Sequence, residues 1–150
     1  MQQSVDTRLI ANALAWGANS PQAASETFNL TDGDVFEWRD LWPMFMSTLG
    51  VEVGPDIPVS MVEFLPAHAG LWDKIVAKHG LRKVTMPELL GESHYYTDRS
   101  FAYGISEPLP PALVSTVKVS LAGFMEVRDS AETWRYWLQA QIDRGLVPPV

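Results

Sequence analysis

The sequence predicts a mainly α fold with a small β component, an α+β class. Three observations predict it. Apolar residues recur at helical spacing behind Ser, Thr or Asp in most of the chain. Glycines stand singly where those patterns stop, as at Gly50, Gly80, Gly123 and Gly145. Only Glu26, Thr27, Phe28, Asn29 and Leu30 read as a strand, and the turn residues Thr31, Asp32 and Gly33 close it.

Taken in order, Asp6 is expected to cap a first helix over 7–17. Leu9, Ile10, Ala13 and Leu14 lie on its apolar face, and Gly17 ends it. After the strand, Asp34 and Glu37 form a capping-box pattern before the aromatic run Trp38, Trp42, Phe45, Met46 and Leu49. Pro43 is placed in the first turn of that helix. There its missing N–H costs little, whereas an interior proline costs about 3 kcal/mol. Residues 51–58 read as a loop, and Ser60 with Glu63 opens a short helix interrupted by Pro66.

A helix over 71–79 buries Leu71, Trp72, Ile75 and Val76 on one side, with Gly80 as its C-cap and His79 in its last turn. Thr85, Pro87 and Glu88 open another helix. Residues 92–111, which include Pro108, Pro110 and Pro111, read as a loop holding one short element at most. Ser115 or Thr116 starts a helix to Ala122. Asp129 and Glu132 open the last one, with Trp134, Trp137, Leu138 and Ile142 inward. One domain over 1–150 is expected. Its lone strand would leave ladder groups unpaired unless a sheet elsewhere receives it.

The 150 residues carry a net charge of −7, with 11 Lys and Arg against 18 Asp and Glu. No basic stripe is available for nucleic acid, and no apolar run is long enough to span a bilayer. There is no cysteine, which excludes disulfides and thiolate metal sites and fits a reducing cytoplasm. The start lacks a signal-peptide pattern, so a cytoplasmic location is expected. His68, His79 and His94 show no ligand-pair spacing, and no metal is expected. Asp32 and Asp34 flank Gly33; turn formation and capping explain them better than acid–base chemistry. Tyr95, Tyr96, Asp98 and Arg99 form a polar–aromatic group in the irregular segment. It could contact a substrate, although solvent-exposed loop aromatics are the plainer reading.

The stretch FNLTDGDVFEW at 28–38 resembles the atypical extended short-chain dehydrogenase/reductase group. That group includes progesterone 5-beta-reductase, iridoid synthase and bacterial proteins called epimerase/dehydratase-like. The resemblance continues collinearly through Trp42, GVE at 50–52, LWDKIV at 71–76 and STVKVSLAGF at 115–124. It then takes in Arg128, Asp129 and Ser130, and closes with Trp137 and Leu146, Val147 and Pro148. Residues 92–111 fit it poorly.

The resemblance implies a C-terminal, substrate-side lobe of an extended Rossmann-type reductase, lacking the Rossmann nucleotide-binding core. Residues 26–30 would then be the last strand of the missing sheet. It implies NADPH-dependent reduction of an enone or enal in the full-length family, on a hydrophobic small-molecule carbonyl substrate. It also implies a substrate wall at Ala112, Ser115, Thr116 and Ala122, roomier because two positions are alanine; a plain amphipathic helix packing on the core explains the same residues.

No glycine-rich dinucleotide loop occurs, and the family's Tyr/Lys pair precedes the matching region. No catalytic or cofactor-binding residue is therefore assigned, and no redox activity is expected of these residues alone. A truncated frame, a fragment and a split gene are equally compatible with that pattern. The rival reading is a non-enzymatic interaction module that pairs with a second copy or with a separately encoded nucleotide-binding half.

Overall fold

The computed structural model describes residues 1–106 and 110–149. Its described helices are α1 (Thr7–Asn19), α2 (Trp38–Thr48), α3 (Met61–Ala67), α4 (Ala69–His79), α5 (Met86–Leu90), α6 (Ser93–Ser100), α7 (Val117–Leu121) and α8 (Ser130–Asp143). A single 3₁₀ turn, Pro21–Ala23, follows α1. The chain divides into two compact units, one of residues 1–45 and 111–137, the other of 46–110 and 138–149.

The expected α+β class is overturned: among the described residues the fold is helical and strand-poor. Residues 26–30 are extended but join no ladder, and the one bridge pairs Gln2 with Phe36. Two backbone bonds close that bridge, and Asp32 N donates to Ser4 O at 2.8 Å. The polar groups near 26–30 are met by side chains instead. Lys118 Nζ donates to Thr27 O at 2.9 Å, and the Asn29 amide donates to Ser115 O at 3.2 Å. β-type composition therefore produced an extended segment, while the pairing it suggested is made by tertiary side-chain bonds.

In the first unit, Asp6 caps α1 by accepting from Arg8 N at 2.7 Å. The helix runs two residues past the expected stop at Gly17 and ends before Pro21, which cannot continue it. Leu9 and Ala13 form the buried core with Val119 and Phe124, and Val5, Trp16, Phe28 and Leu30 pack around them. A second aromatic group joins residues distant in sequence: Trp38 and Phe45 each meet Trp134 edge-on, at 5.4 and 5.8 Å between ring centres.

Pro43 is the second correction. It falls in the second turn of α2, where the Arg39 carbonyl loses its helical donor. The helix begins at Trp38, so a full turn precedes the proline.

In the second unit, Ser60 caps α3 by accepting from Glu63 N at 3.3 Å. Gly80 closes α4 in the left-handed region at φ 62°. Thr85 and Glu88 complete a reciprocal capping box on α5. These three starts and stops agree with the sequence expectation. The irregular stretch expected over 92–111 holds one element among the described residues, α6, and Pro108 lies outside the described residues. Gly145 O accepts from Arg82 N at 2.8 Å, fastening the end of the chain within this unit.

Candidate functional site

The segment carrying Ala112, Ser115, Thr116 and Ala122 belongs to the first unit. Val114 N donates to Gln3 Oε1 at 2.8 Å and anchors its start. Ser115 is exposed, and its Oγ accepts from Val117 N at 3.3 Å. Thr116 stands at the N-cap of α7, and its carbonyl accepts from Ser120 N at 3.1 Å. Ala122 is the half-buried C-cap, and Ala112 is exposed in the approach to the helix. Val119 alone on α7 is buried, at 4% exposure.

The opposite character of the neighbouring side chains is informative. Val117, Leu121, Met125 and Val127 are all more than half exposed, Leu121 at 84%. Exposed apolar residues scattered singly are ordinary, but here four fall within eleven positions. The residues around them are held rather than loose. Lys118 pairs with Glu26 at 2.7 Å and lies over the Phe28 ring, and Asn12 donates to the Glu126 carboxylate at 2.9 Å.

A polar node that sequence reasoning missed fixes the other end of the first unit. Asp32 is fully buried, and it accepts from Ser4 Oγ and Asp6 N, each at 2.7 Å. Asp34 accepts from Ser130 N at 3.1 Å and from the Ser130 hydroxyl, at the start of α8. Asp34 therefore serves α8 and does not open α2, and Asp129 adds a second cap by accepting from Glu132 N at 2.8 Å.

Asp6 also forms an ion pair with Arg8 and accepts from Thr133 Oγ1 at 3.2 Å. The Arg8 hydrogen bond outweighs burial and lowers the Asp6 carboxyl from 3.8 to about 2. Arg8 is raised by the same partner, and its guanidinium lies 3.6 Å from the centre of the Tyr136 ring. These carboxylates are committed to holding the fold. No local motif could have revealed the long-range bonds of this node, whose partners are 26 to 127 residues apart.

In the second unit, Asp98 accepts from Ser60 Oγ at 2.7 Å and Met61 N at 2.6 Å, capping α3 from α6. Burial acts to raise its carboxyl, but those hydrogen bonds and nearby His94 hold it below its usual value. The group Tyr95, Tyr96, Asp98 and Arg99 is thus a helical turn with a structural carboxylate, and both tyrosines are exposed. His79 occupies the last turn of α4, and the His68 ring stacks on Phe64 at 4.1 Å. Among the described residues no three His, Asp or Glu side chains could hold a metal ion, and no helix is long and apolar enough to cross a membrane.

Helix N-termini are the natural seats for a dinucleotide pyrophosphate, since their free N–H groups and dipole attract anions. Here α1, α3, α5 and α8 each already face a carboxylate: Asp6, Asp98, Glu88, and Asp129 with Asp34. Those four starts are therefore occupied by the chain's own carboxylates.

Comparison with known proteins gives a class first: the homologues of this chain are enol synthases. It is 27% identical to an (S)-8-oxocitronellyl enol synthase of Nepeta racemosa over 146 residues, 95% of this chain and 35% of that one. The same named enzyme of Antirrhinum majus is 27% identical over 97% of the chain. A Camptotheca acuminata counterpart is 31% identical over 97% of the chain and 36% of its own length. These similarities bear out the resemblance read from the residues to the group containing iridoid synthase. The chain spans about a third of the length of the curated relatives it matches. No family model matches it.

Proposed function

We propose that these 150 residues form the substrate-contacting, C-terminal part of an NADPH-dependent enone or enal reductase-like protein. The collinear similarity to (S)-8-oxocitronellyl enol synthases over nearly the whole chain carries this reading. Ala112, Ser115, Thr116 and Ala122 border the substrate. Their neighbours Val117, Leu121, Met125 and Val127 offer the apolar area that a hydrophobic carbonyl compound requires. Binding NADPH and delivering hydride fall to residues outside these, because these residues contain no glycine-rich dinucleotide loop.

The test mixes this polypeptide with NADPH and a straight-chain enal and follows absorbance at 340 nm. No decrease is expected from the polypeptide alone, and turnover would refute the assignment of hydride delivery to other residues. Amide NMR with the enal alone is expected to shift Ala112, Ser115, Thr116 and Ala122. Shifts elsewhere only would refute the substrate wall.

A second reading, a non-enzymatic interaction module, is favoured by the exposure of Leu121 and Met125. In this reading the apolar row receives a separately encoded nucleotide-binding half, which accords with relatives about three times longer. Light scattering with the candidate half decides it: no complex means no such module.

A further inference from the structure

In the first unit, residues 26–30 are extended and join no ladder, yet every one of them has a tertiary partner. The segment follows Ser25, a non-glycine residue whose φ of 61° lies in the left-handed region. A conformation of that kind persists where the surrounding contacts over-determine it. Here those contacts converge on α7 and its approach. Lys118 Nζ pairs with Glu26 Oε2 at 2.7 Å and donates to Thr27 O at 2.9 Å. The same ammonium lies 5.3 Å from the centre of the Phe28 ring. Asn29 Nδ2 donates to Ser115 O at 3.2 Å, and Leu30 packs with Phe28 against the core that includes Val119.

The helix α7 depends on such ties. It has five residues, far fewer than the roughly 12–15 at which an isolated helix becomes marginal in water. Its N-cap residue, Thr116, makes no capping side-chain bond, and Val119 is its one buried residue. Little within the helix therefore fixes its place. Lys118 supplies what is missing, because one ammonium group engages three consecutive residues of the extended segment.

We propose that residues 26–30 are a strap for α7, and that Lys118 is the positioning residue that sets where Ser115, Thr116 and Ala122 stand. Lys118 touches no substrate and acts through the helix that carries it. The inference rests on the reading of those residues as a substrate wall and adds what holds the wall in place.

Two substitutions in the full chain test it. Lys118→Met keeps the hydrocarbon and removes the ammonium, whereas Lys118→Arg keeps a cation. Amide hydrogen exchange is followed at Ser120 and Ala122, which donate to Thr116 O and Lys118 O, and at Ala13 in α1. In Lys118→Met, exchange at Ser120 and Ala122 is expected to quicken about threefold to tenfold, the worth of one or two exposed contacts, with Ala13 unchanged. Lys118→Arg is expected to restore the slower exchange. Should Lys118→Met fail to fold, Asn29→Ala cuts a separate tie and is expected to quicken the same amides.

The same samples are titrated with a straight-chain enal. Lys118→Met is expected to need about threefold to tenfold more enal for the same shifts at Ser115, Thr116 and Ala122. Unchanged exchange at Ser120 and Ala122, equal quickening at Ala13, or no restoration by arginine would overturn the strap. Quickened exchange with unaltered enal affinity would overturn the positioning role. No enal shift at these residues in the unaltered chain would instead refute the substrate wall, whatever the exchange shows.

Discussion

Replacing Asp6 with Asn should remove a pH-dependent part of the stability while leaving the cap on α1 largely in place. Asn accepts from the helix amides about as well as Asp, so the cap itself changes little. What disappears is the charge that Arg8 and Thr133 hold in a site where Asp6 is only 1% exposed. Its carboxyl titrates at about 2 instead of 3.8. At about 1.4 kcal/mol per pH unit, that depression corresponds to roughly 2 kcal/mol favouring the folded state. Because the folded value lies below the unfolded one, this contribution is complete above pH 3.8 and is lost as pH falls toward 2.

Urea unfolding of both proteins between pH 7 and pH 2 measures it. The variant is expected to be less stable at pH 7 by about 2 kcal/mol, and the gap should close progressively below pH 4. Other carboxylates titrate in the same range, but they do so in both proteins and cancel in the difference. A gap that stays constant down to pH 2 would show that the Arg8 pairing does not set the Asp6 titration.

Three further substitutions follow from packing and backbone geometry. Leu9→Ala empties a fully buried core position and is expected to cost about 2–5 kcal/mol in urea unfolding. A loss under about 1 kcal/mol would contradict the core assignment. Gly33→Ala places a methyl 2.8 Å from a Val127 methyl at φ +104°, so its melting temperature should fall, and adding Val127→Ala should recover only part of the loss. Full recovery would mean the backbone conformation carries no strain. Thr85→Ala breaks the capping box on α5 and is expected to cost about 1 kcal/mol, with faster amide exchange at Glu88; unchanged exchange would remove the box from the account.

Helix starts and stops were legible wherever a cap was local. Asp6, Ser60, Thr85 and Asp129 each accept from an amide within three residues, and Gly80 and Gly145 adopt the left-handed conformation that ends a helix. Misreadings arose where a residue with local capping chemistry was recruited from afar. Asp34 looked like the start of α2 but binds Ser130, 96 residues away, and the helix begins instead at Trp38, a full turn before Pro43. Likewise α6 was hidden in Ser93, His94, Tyr95 and Tyr96, whose weak apolar periodicity gives no helical stripe. Its order comes from Asp98 reaching across to cap α3. Composition at 26–30 favoured a strand, yet a strand exists only where another edge meets it.

The same distinction separates what could be read of the candidate site from what could not. Ala112, Ser115, Thr116 and Ala122 came from a resemblance, and the structure puts them on one short segment whose inward contact is Val119. Periodicity alone would have turned the apolar residues of 113–127 inward, because a pattern rule assumes that apolar means buried. Five of them face solvent by more than 45%, as Val114 at 46% and Leu121 at 84% illustrate. An apolar side chain left outside while the fold around it is pinned by Lys118, Gln3 and Asn12 is not a failure of folding. An exposed apolar surface of this kind gains free energy when another molecule covers it, which is what the proposed substrate role asks of it.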